Sequence, residues 1–256
     1  MADLVSIVIP TFNSEKTINR ALNSVLNQSY KKWEAIIIDS YSTDKTIELV
    51  KSFRCKKIKI FYASKKNGLA KARYLGIIKS KGSVVAFLDS DDEWHRNKLL
   101  RHLKFYKIKS ARFSCSGYNL INIKNKKKKI LQKLGKFDFK YLLSNRPVAL
   151  STVMIEKRLA LSKFKNYLKN DYAEDYLWWL VVLKNVKYCH ILPKNLSNIY
   201  LGGQNRSLNF YKNYKSLYRI YKDNFKLSNL NILKIYVLLF FRTLKKNIFK
   251  FRSFYL

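Results

Sequence analysis

The apolar positions of the first 95 residues switch repeatedly between two patterns. Leu4–Ile9 is a nearly continuous run of β-branched and apolar residues. Such a run is too uniform for a strand with one wet face, and it predicts a buried parallel strand. Ile18, Leu22, Val25 and Leu26 then recur at helical spacing behind Asn13 and Ser14, which can cap such a helix. Trp33–Ile38 predicts a second strand ending at Asp39, and Thr43–Phe53 a second helix capped from Ser42 and Thr43. Ile58–Tyr62 predicts a third strand, and Gly68–Lys79 a third helix with Asn67 as its cap. Val84–Leu88 predicts a fourth strand running into Asp89-Ser90-Asp91-Asp92. The order βαβαβαβ predicts an α/β fold, a mostly parallel Rossmann-like sheet with helices on both faces. Ligands of such sheets bind beyond the carboxyl ends of the strands. Thr11–Asn13, Asp39–Asp44, Lys66–Gly68 and Asp89–Asp92 all fall there.

After residue 95 the pattern weakens. It predicts a helix over Arg96–Lys109, a strand over Arg112–Ile123, an exposed turn or loop at Lys126–Lys129, and a strand over Ala149–Glu156. A helix with a wide aromatic face follows over Asp175–Leu183, then short strands at Val186–Leu192 and Leu196–Leu201, then helix from Leu208 to the end. In that last segment Leu233, Val237, Phe240, Phe241, Leu244, Ile248 and Phe251 share one face, while Lys234, Lys245, Lys246, Lys250 and Arg252 populate much of the remainder. Such a face suits either a membrane interface or packing against the preceding domain. Residues 1–205 are therefore expected to form one domain, with halves at 1–95 and 96–205, and 206–256 a basic amphipathic helical tail.

Composition adds a charge asymmetry. The formal charge is +36, but 40 of the 52 basic residues are Lys, and with Asn, Ile and Tyr also abundant this is what AT-rich coding produces. Residues 1–95 carry 16 basic and 10 acidic side chains (+6), residues 96–180 carry 21 and 5 (+16), and residues 181–256 carry 15 and 1 (+14). Anionic partners are expected for the later part: nucleotide phosphates or an anionic membrane surface. Nucleic acid is not expected, because no recognition-helix, zinc-finger or RNA-binding signature accompanies the charge. No apolar stretch approaches the roughly 18 residues that cross a bilayer, and the start lacks a basic signal-type segment. Cys55, Cys115 and Cys189 lack metal-ligand spacing. A cytoplasmic protein, peripheral on the inner face of the cell membrane, is the expectation. His95, His102 and His190 have no partner at ligand spacing, and no Ser/His/Asp or Cys/His constellation emerges.

The chemistry is expected at the carboxylates. Of 16, eight fall in three groups: Asp39 with Asp44, Asp89/Asp91/Asp92/Glu93, and Glu174 with Asp175. A carboxylate at a strand end can accept from a nucleobase or ribose. An Asp-x-Asp pair can hold a hard divalent cation that also takes diphosphate oxygens. Asp92 and Glu93 can alternatively cap the helix that follows.

VSIVIPTFNSE, IIIDSYSTDKT, NGLAKARYLGI, VVAFLDSDD and YAEDYLWWL, in this order, resemble the motifs of family 2 glycosyltransferases over roughly residues 1–205. The resemblance, carried by five motifs in register, implies the GT-A fold and an inverting transfer of one sugar from a nucleotide-sugar, a UDP-sugar above all, to a hydroxyl of a glycan or lipid-linked saccharide. It implies Mn²⁺ or Mg²⁺ at Asp91 and Asp89, with Ser90 between them. It places Pro10, Thr11, Asn13, Glu15, Asp39, Gly68 and Arg73 at the nucleotide, Arg73 near the base or diphosphate. Glu174-Asp175 would supply the base, with Asp175 as base and Glu174 as brace. Ser40, Tyr41 and Tyr74 replace the usual acid, glycine and Asn. A non-catalytic nucleotide-sugar-binding protein of the same fold is the alternative. The signature of processive polysaccharide synthases is absent. Trp178 and Trp179 could stack on an acceptor sugar, with one of the pair expected in the core.

Overall fold

The computed structural model describes residues 3–63, 68–122, 127–130, 135–145, 148–161, 173–201 and 210–252, with side chains outside 127–130, 210–213 and 242–252. The N-terminal half follows the predicted order: β1 (Val5–Thr11), α1 (Ile18–Leu26), β2 (Trp33–Asp39), α2 (Thr46–Ser52), β3 (Ile58–Tyr62), α3 (Gly68–Lys79) and β4 (Val84–Phe87). Then come β5 (Glu93–Trp94), α4 (Lys98–Ile108), β6 (Phe113–Ile121), β7 (Lys127–Ile130), β8 (Lys136–Phe137) and α5 (Phe139–Ser144). A 3-10 turn (Leu150–Thr152) leads into β9 (Val153–Glu156), α6 (Lys157–Leu161), α7 (Glu174–Asn185) and β10 (Cys189–Tyr200). α8 (Phe210–Arg219), a π-helical turn (Ile220–Asn224) and α9 (Asn229–Arg252) close the chain.

The strands form one sheet in the order β3-β2-β1-β4-β9-β6-β10-β5, with β7 on β6 and β8 on β10. β3, β2, β1 and β4 are all parallel, as is β6 with β10, while β9 runs antiparallel between β4 and β6. Every residue of β1, β2 and β4 is buried, because helices cover both faces. Val5, Ile7 and Ile9 pack with α1 and α4 on one side; Val8, Val85 and Phe87 pack with α7 on the other. Helix α3 lies so close to β1 that a Cβ on Gly76 would come within 2.4 Å of a Val8 methyl.

Several expectations are corrected. The first helix begins at Ile18, and the Ser14 carbonyl, not a side chain, accepts from its first N–H groups. The second begins at Thr46, where the Asp44 side chain accepts from the Thr46 N–H at 3.0 Å. Residues 127–130 are a strand paired with β6, not a loop. The two short strands expected around Pro193 are one strand, β10, with register shifts between Leu192 and Asn195 and between Asn195 and Ser197. A proline donates no ladder bond, so the strand bulges there and continues. Trp178 and Trp179 are both 1% exposed, stacked on each other at 4.4 Å and packed against Phe87. Neither can meet a sugar. The Asn67 cap lies outside the described residues.

Helix α9 carries two apolar faces. Ile232 and Ile235 dock into the main core, while Leu230, Leu233, Val237, Leu238, Phe240 and Phe241 are exposed. The face named from the sequence is thus the outward one as far as Phe241, and a second stripe does the docking. The side chains of Leu244, Ile248 and Phe251 lie outside the described residues. Among the described residues no helix is long and apolar enough to cross a membrane.

Candidate active site

The register Thr11↔Asp39 and Asp39↔Tyr62 aligns the ends of β1, β2 and β3. Asp39 is buried, and its carboxylate accepts from the Thr11 hydroxyl (3.0 Å), the Ser42 N–H (2.8 Å) and the Ser42 hydroxyl (2.5 Å). The loops after β1 and β2 are clipped together. Asn13 donates its N–H to the Ser42 hydroxyl and accepts at Oδ1 from the Thr43 N–H, each at 2.9 Å. Glu15 accepts from the Lys45 N–H at 3.1 Å and donates its own N–H to Asp44 at 3.0 Å. Asn13 takes a left-handed φ of 47° to do this, which Asn tolerates. The Asn13 and Glu15 side chains therefore shape the rim by fixing its backbone. Pro10 is buried in β1, and Gly68, at φ 67°, opens α3.

The acidic loop after β4 is braced from three directions. The Ser14 and Ser90 hydroxyls meet at 2.8 Å. Arg20 donates to the Asp91 carbonyl at 2.5 Å while its guanidinium lies 3.6 Å from the Tyr200 ring centroid. Ser151, in the 3-10 turn, accepts from the Asp89 N–H at 3.0 Å and donates to the Asp92 carboxylate at 2.5 Å. Asp92 is buried and also accepts from the Tyr200 N–H at 3.2 Å. It is a strut under the loop, not a helix cap, and Glu93 lies in β5.

Asp89 and Asp91 differ from Asp92. The Asp89 side chain is 32% exposed, and Asp91 is half-buried. Burial and then the Asp89 charge push the Asp91 carboxyl above the usual carboxylate range; burial and the same neighbours push Asp92 well above it. The loop thus concentrates negative charge that no described lysine or arginine ion-pairs at Asp91.

Arg73 joins this loop to the second acidic pair. Its side chain is 5% exposed, with one terminal nitrogen 3.2 Å from Asp89 and the other 2.9 Å from Glu174. Burial disfavours the guanidinium charge, but Asp89, Glu174 and Asp175 outweigh it and raise its proton affinity. Both terminal nitrogens are thus held by carboxylates. Glu174 and Asp175 open α7 directly after Ala173, whose left-handed φ of 56° turns the chain into the helix. Asp175 accepts from the Tyr176 N–H at 2.7 Å and, among the described residues, has no ion-pair partner within 4 Å. The structure therefore brings Asp89, Arg73 and Glu174–Asp175 into one cluster, and Thr11, Asp39, Asn13 and Glu15 into a neighbouring one linked through Ser14 and Ser90.

Ser151, Arg20 and Tyr200 were not legible as site residues. Ser151 lies in a turn without periodicity, and the other two act through a carbonyl, a ring face and a backbone N–H.

Comparisons with known proteins identify the family. The description Glycosyl transferase family 2 matches residues 6–164. The chain is 32% identical over 235 residues to an uncharacterized glycosyltransferase of Haemophilus influenzae, covering 90% of this chain and 91% of that one. It is 34% identical over 182 residues to the UDP-Glc:alpha-D-GlcNAc-diphosphoundecaprenol beta-1,3-glucosyltransferase WfgD of Escherichia coli, covering 71% and 70%. The crystal structure of S. aureus TarS 1–349 in complex with UDP-GlcNAc superposes with a TM-score of 0.69 at 20% identity, over 92% of this chain and 70% of that one, which shows the shared fold. With its motifs, its sheet order and these matches, the chain belongs to glycosyl transferase family 2 and is a glycosyltransferase of the GT-A fold.

Proposed function

We propose that this enzyme transfers one sugar, with inversion, from a UDP-sugar to a hydroxyl of a lipid-linked or glycan acceptor, using Mn²⁺ or Mg²⁺. The observation that carries the reading is the Arg73 clasp, which sets the acidic loop and the Glu174–Asp175 pair one guanidinium apart. The UDP-Glc donor and diphosphoundecaprenol-linked acceptor in the name of the E. coli relative support the substrate classes.

Asp89 and Asp91 would hold the cation. Their donor set fits: two hard carboxylate ligands, one destabilised as an anion by the other, suit a divalent ion that keeps positions for phosphate oxygens. Among the described residues no group of three or more His, Cys, Asp or Glu could hold a metal. When bound, the cation offsets charge on the departing diphosphate. Thr11, Asp39 and Ser90, on the backbone that Asn13 and Glu15 fix, receive the nucleoside, with Pro10 and Gly68 shaping the strand and helix ends. Asp175 accepts the acceptor hydroxyl's proton as its oxygen bonds to the anomeric carbon. The bond from that carbon to the diphosphate oxygen breaks, and its electron pair leaves with UDP. Glu174, held by Arg73, orients the helix start. Arg73 thereby acts on the diphosphate side through Asp89.

We further propose that residues 1–205 are the transferase domain, with a donor half (1–95) and an acceptor half (96–205), and that the 206–256 tail places it on the inner face of the membrane. The outward apolar face of α9 supports this, since Phe240 and Phe241 are exposed by 56% and 59% beside a lysine-rich sequence. The test is mass spectrometry of products from a panel of UDP-sugars with a diphosphoundecaprenol-linked GlcNAc acceptor and Mn²⁺. Product is expected with the wild type. Asp91→Asn should remain folded and lose Mn²⁺-dependent UDP binding by calorimetry; unchanged binding would refute the metal assignment.

A further inference from the structure

The turn after β2 contains a feature that neither the clasp nor the acidic loop uses. Asp39 accepts from the Ser42 N–H three residues on, so the chain must reverse within Ser40 and Tyr41. It does so with Tyr41 at a left-handed φ of 58°. Asn and Gly reach that region readily, whereas a bulky side chain there is a genuine outlier. A strained residue that persists at a site rim points to a use for its side chain.

The ring is placed where a flat ligand would meet it. Tyr41 is 56% exposed, and its ring lies 5.7 Å from that of Tyr62, which is 49% exposed, at an interplanar angle of 34°. Tyr62 is the last residue of β3 and is in register with Asp39, which is in register with Thr11. Cross-strand neighbours in register share a sheet face. Thr11, Asp39 and Tyr62 therefore form one row across three strand ends, with Tyr41 standing against the outer end of the row. At 5.7 Å the two rings are too close to admit a base between them, so they offer an outer face instead of a slot.

We propose that Tyr41 and Tyr62 form an aromatic platform that stacks on the nucleobase of the donor's nucleoside diphosphate. The occupant is fixed by the neighbours: a hydrogen-bonding carboxylate and hydroxyl beside an exposed ring pair suit a planar heterocycle. The platform rests on the reading of these strand ends as the nucleotide site, and it adds Tyr41 and Tyr62 to the residues proposed to contact the nucleoside. The Tyr41 side chain is then a trade of backbone strain for ligand contact.

Calorimetry with UDP and with inorganic diphosphate, both with Mn²⁺, tests this on the wild type, Tyr41→Gly and Tyr41→Phe, with thermal melts alongside. Tyr41→Gly should melt higher than the wild type, because glycine removes the strain. It should bind UDP about ten-fold more weakly, within the range that loss of one stacking ring produces. Diphosphate binding should stay at the wild-type level, and Tyr41→Phe, which keeps the ring, should bind UDP normally. UDP binding by Tyr41→Gly at the wild-type level overturns the platform. So does a parallel loss of UDP and diphosphate binding, which marks the residue as a structural part of the turn. A wild type that binds no nucleoside diphosphate instead sinks the nucleotide-site reading beneath it.

Discussion

Replacing Arg73 by methionine keeps most of the side-chain volume and removes the charge that two carboxylates share. The guanidinium is 5% exposed, Glu174 13% and Asp89 32%, so the pair to Glu174 is the more deeply buried and the one to Asp89 is partly screened by solvent. Breaking a buried pair by removing one partner costs about 3–5 kcal/mol, and screening at Asp89 sets the expectation at the lower end, about 3 kcal/mol. For a chain of this size, roughly 2–4 °C per kcal/mol converts this to a fall in Tm of about 6–12 °C. The cost arises because Glu174 loses the guanidinium that offsets its charge at 2.9 Å. Glu174→Gln in the same chain should therefore recover part of the loss, and the double-mutant cycle should return a coupling of about 0.5–3 kcal/mol. Lysine is not an adequate substitute, since one ammonium lacks the planar fork that reaches both acids. Calorimetric melts of the four proteins measure this directly. If Arg73→Met melts within about 1 °C of the wild type, or the cycle is additive, the clasp is not what joins the loop to α7.

Two further outcomes follow from other parts of the molecule. The two faces of α9 should separate by variant. Phe240→Ser with Phe241→Ser should abolish sedimentation with anionic liposomes and leave the melt nearly unchanged, whereas Ile232→Ala, at a site 2% exposed, should cost about 2–5 kcal/mol. Liposome binding by the double serine variant at the wild-type level would refute the interface. The second outcome concerns Lys98, which is fully buried and donates to the Thr152 carbonyl (2.8 Å) and the Ser116 hydroxyl (2.9 Å). Burial pulls its ammonium down to about 7, against about 10.4 in an unfolded chain. Between these pH values the unfolded chain binds the extra proton, so stability rises with pH. Urea midpoints of the wild type should gain on those of Lys98→Met from pH 7 to pH 10; a constant difference would contradict the assignment.

The N-terminal half was legible because its rules are strict. Strands buried on both faces read as continuous apolar runs, and a parallel sheet sends its polar strand ends to one rim, so Thr11, Asp39, Asp89 and Asp91 could be placed from spacing alone. The later half obeys weaker rules. Pro193 looks like a strand break, yet the structure absorbs it as a bulge in β10. A lysine run hid β7, because backbone pairing with β6 and not side-chain pattern makes that strand. Trp178 and Trp179 signalled aromatic content without saying that Phe87 and Phe113 would bury it. The bracing of the acidic loop was invisible for a different reason. Ser151 lies 62 residues from Asp89 in sequence, and only the tertiary fold brings them to 3.0 Å. Arg73 was expected at the nucleotide, while the structure shows its terminal nitrogens on Asp89 and Glu174.

The division of labour between Glu174 and Asp175 is the centre of the account, and single-turnover kinetics of two isosteric variants test it most directly. Asp175→Asn should bind the UDP-sugar with the wild-type Kd and transfer it about a hundred- to ten-thousand-fold more slowly, the usual range for loss of a general base. Glu174→Gln, which removes a brace held by Arg73, should retain the larger part of that rate. The reverse pattern, with Glu174→Gln inactive and Asp175→Asn active, would contradict the account.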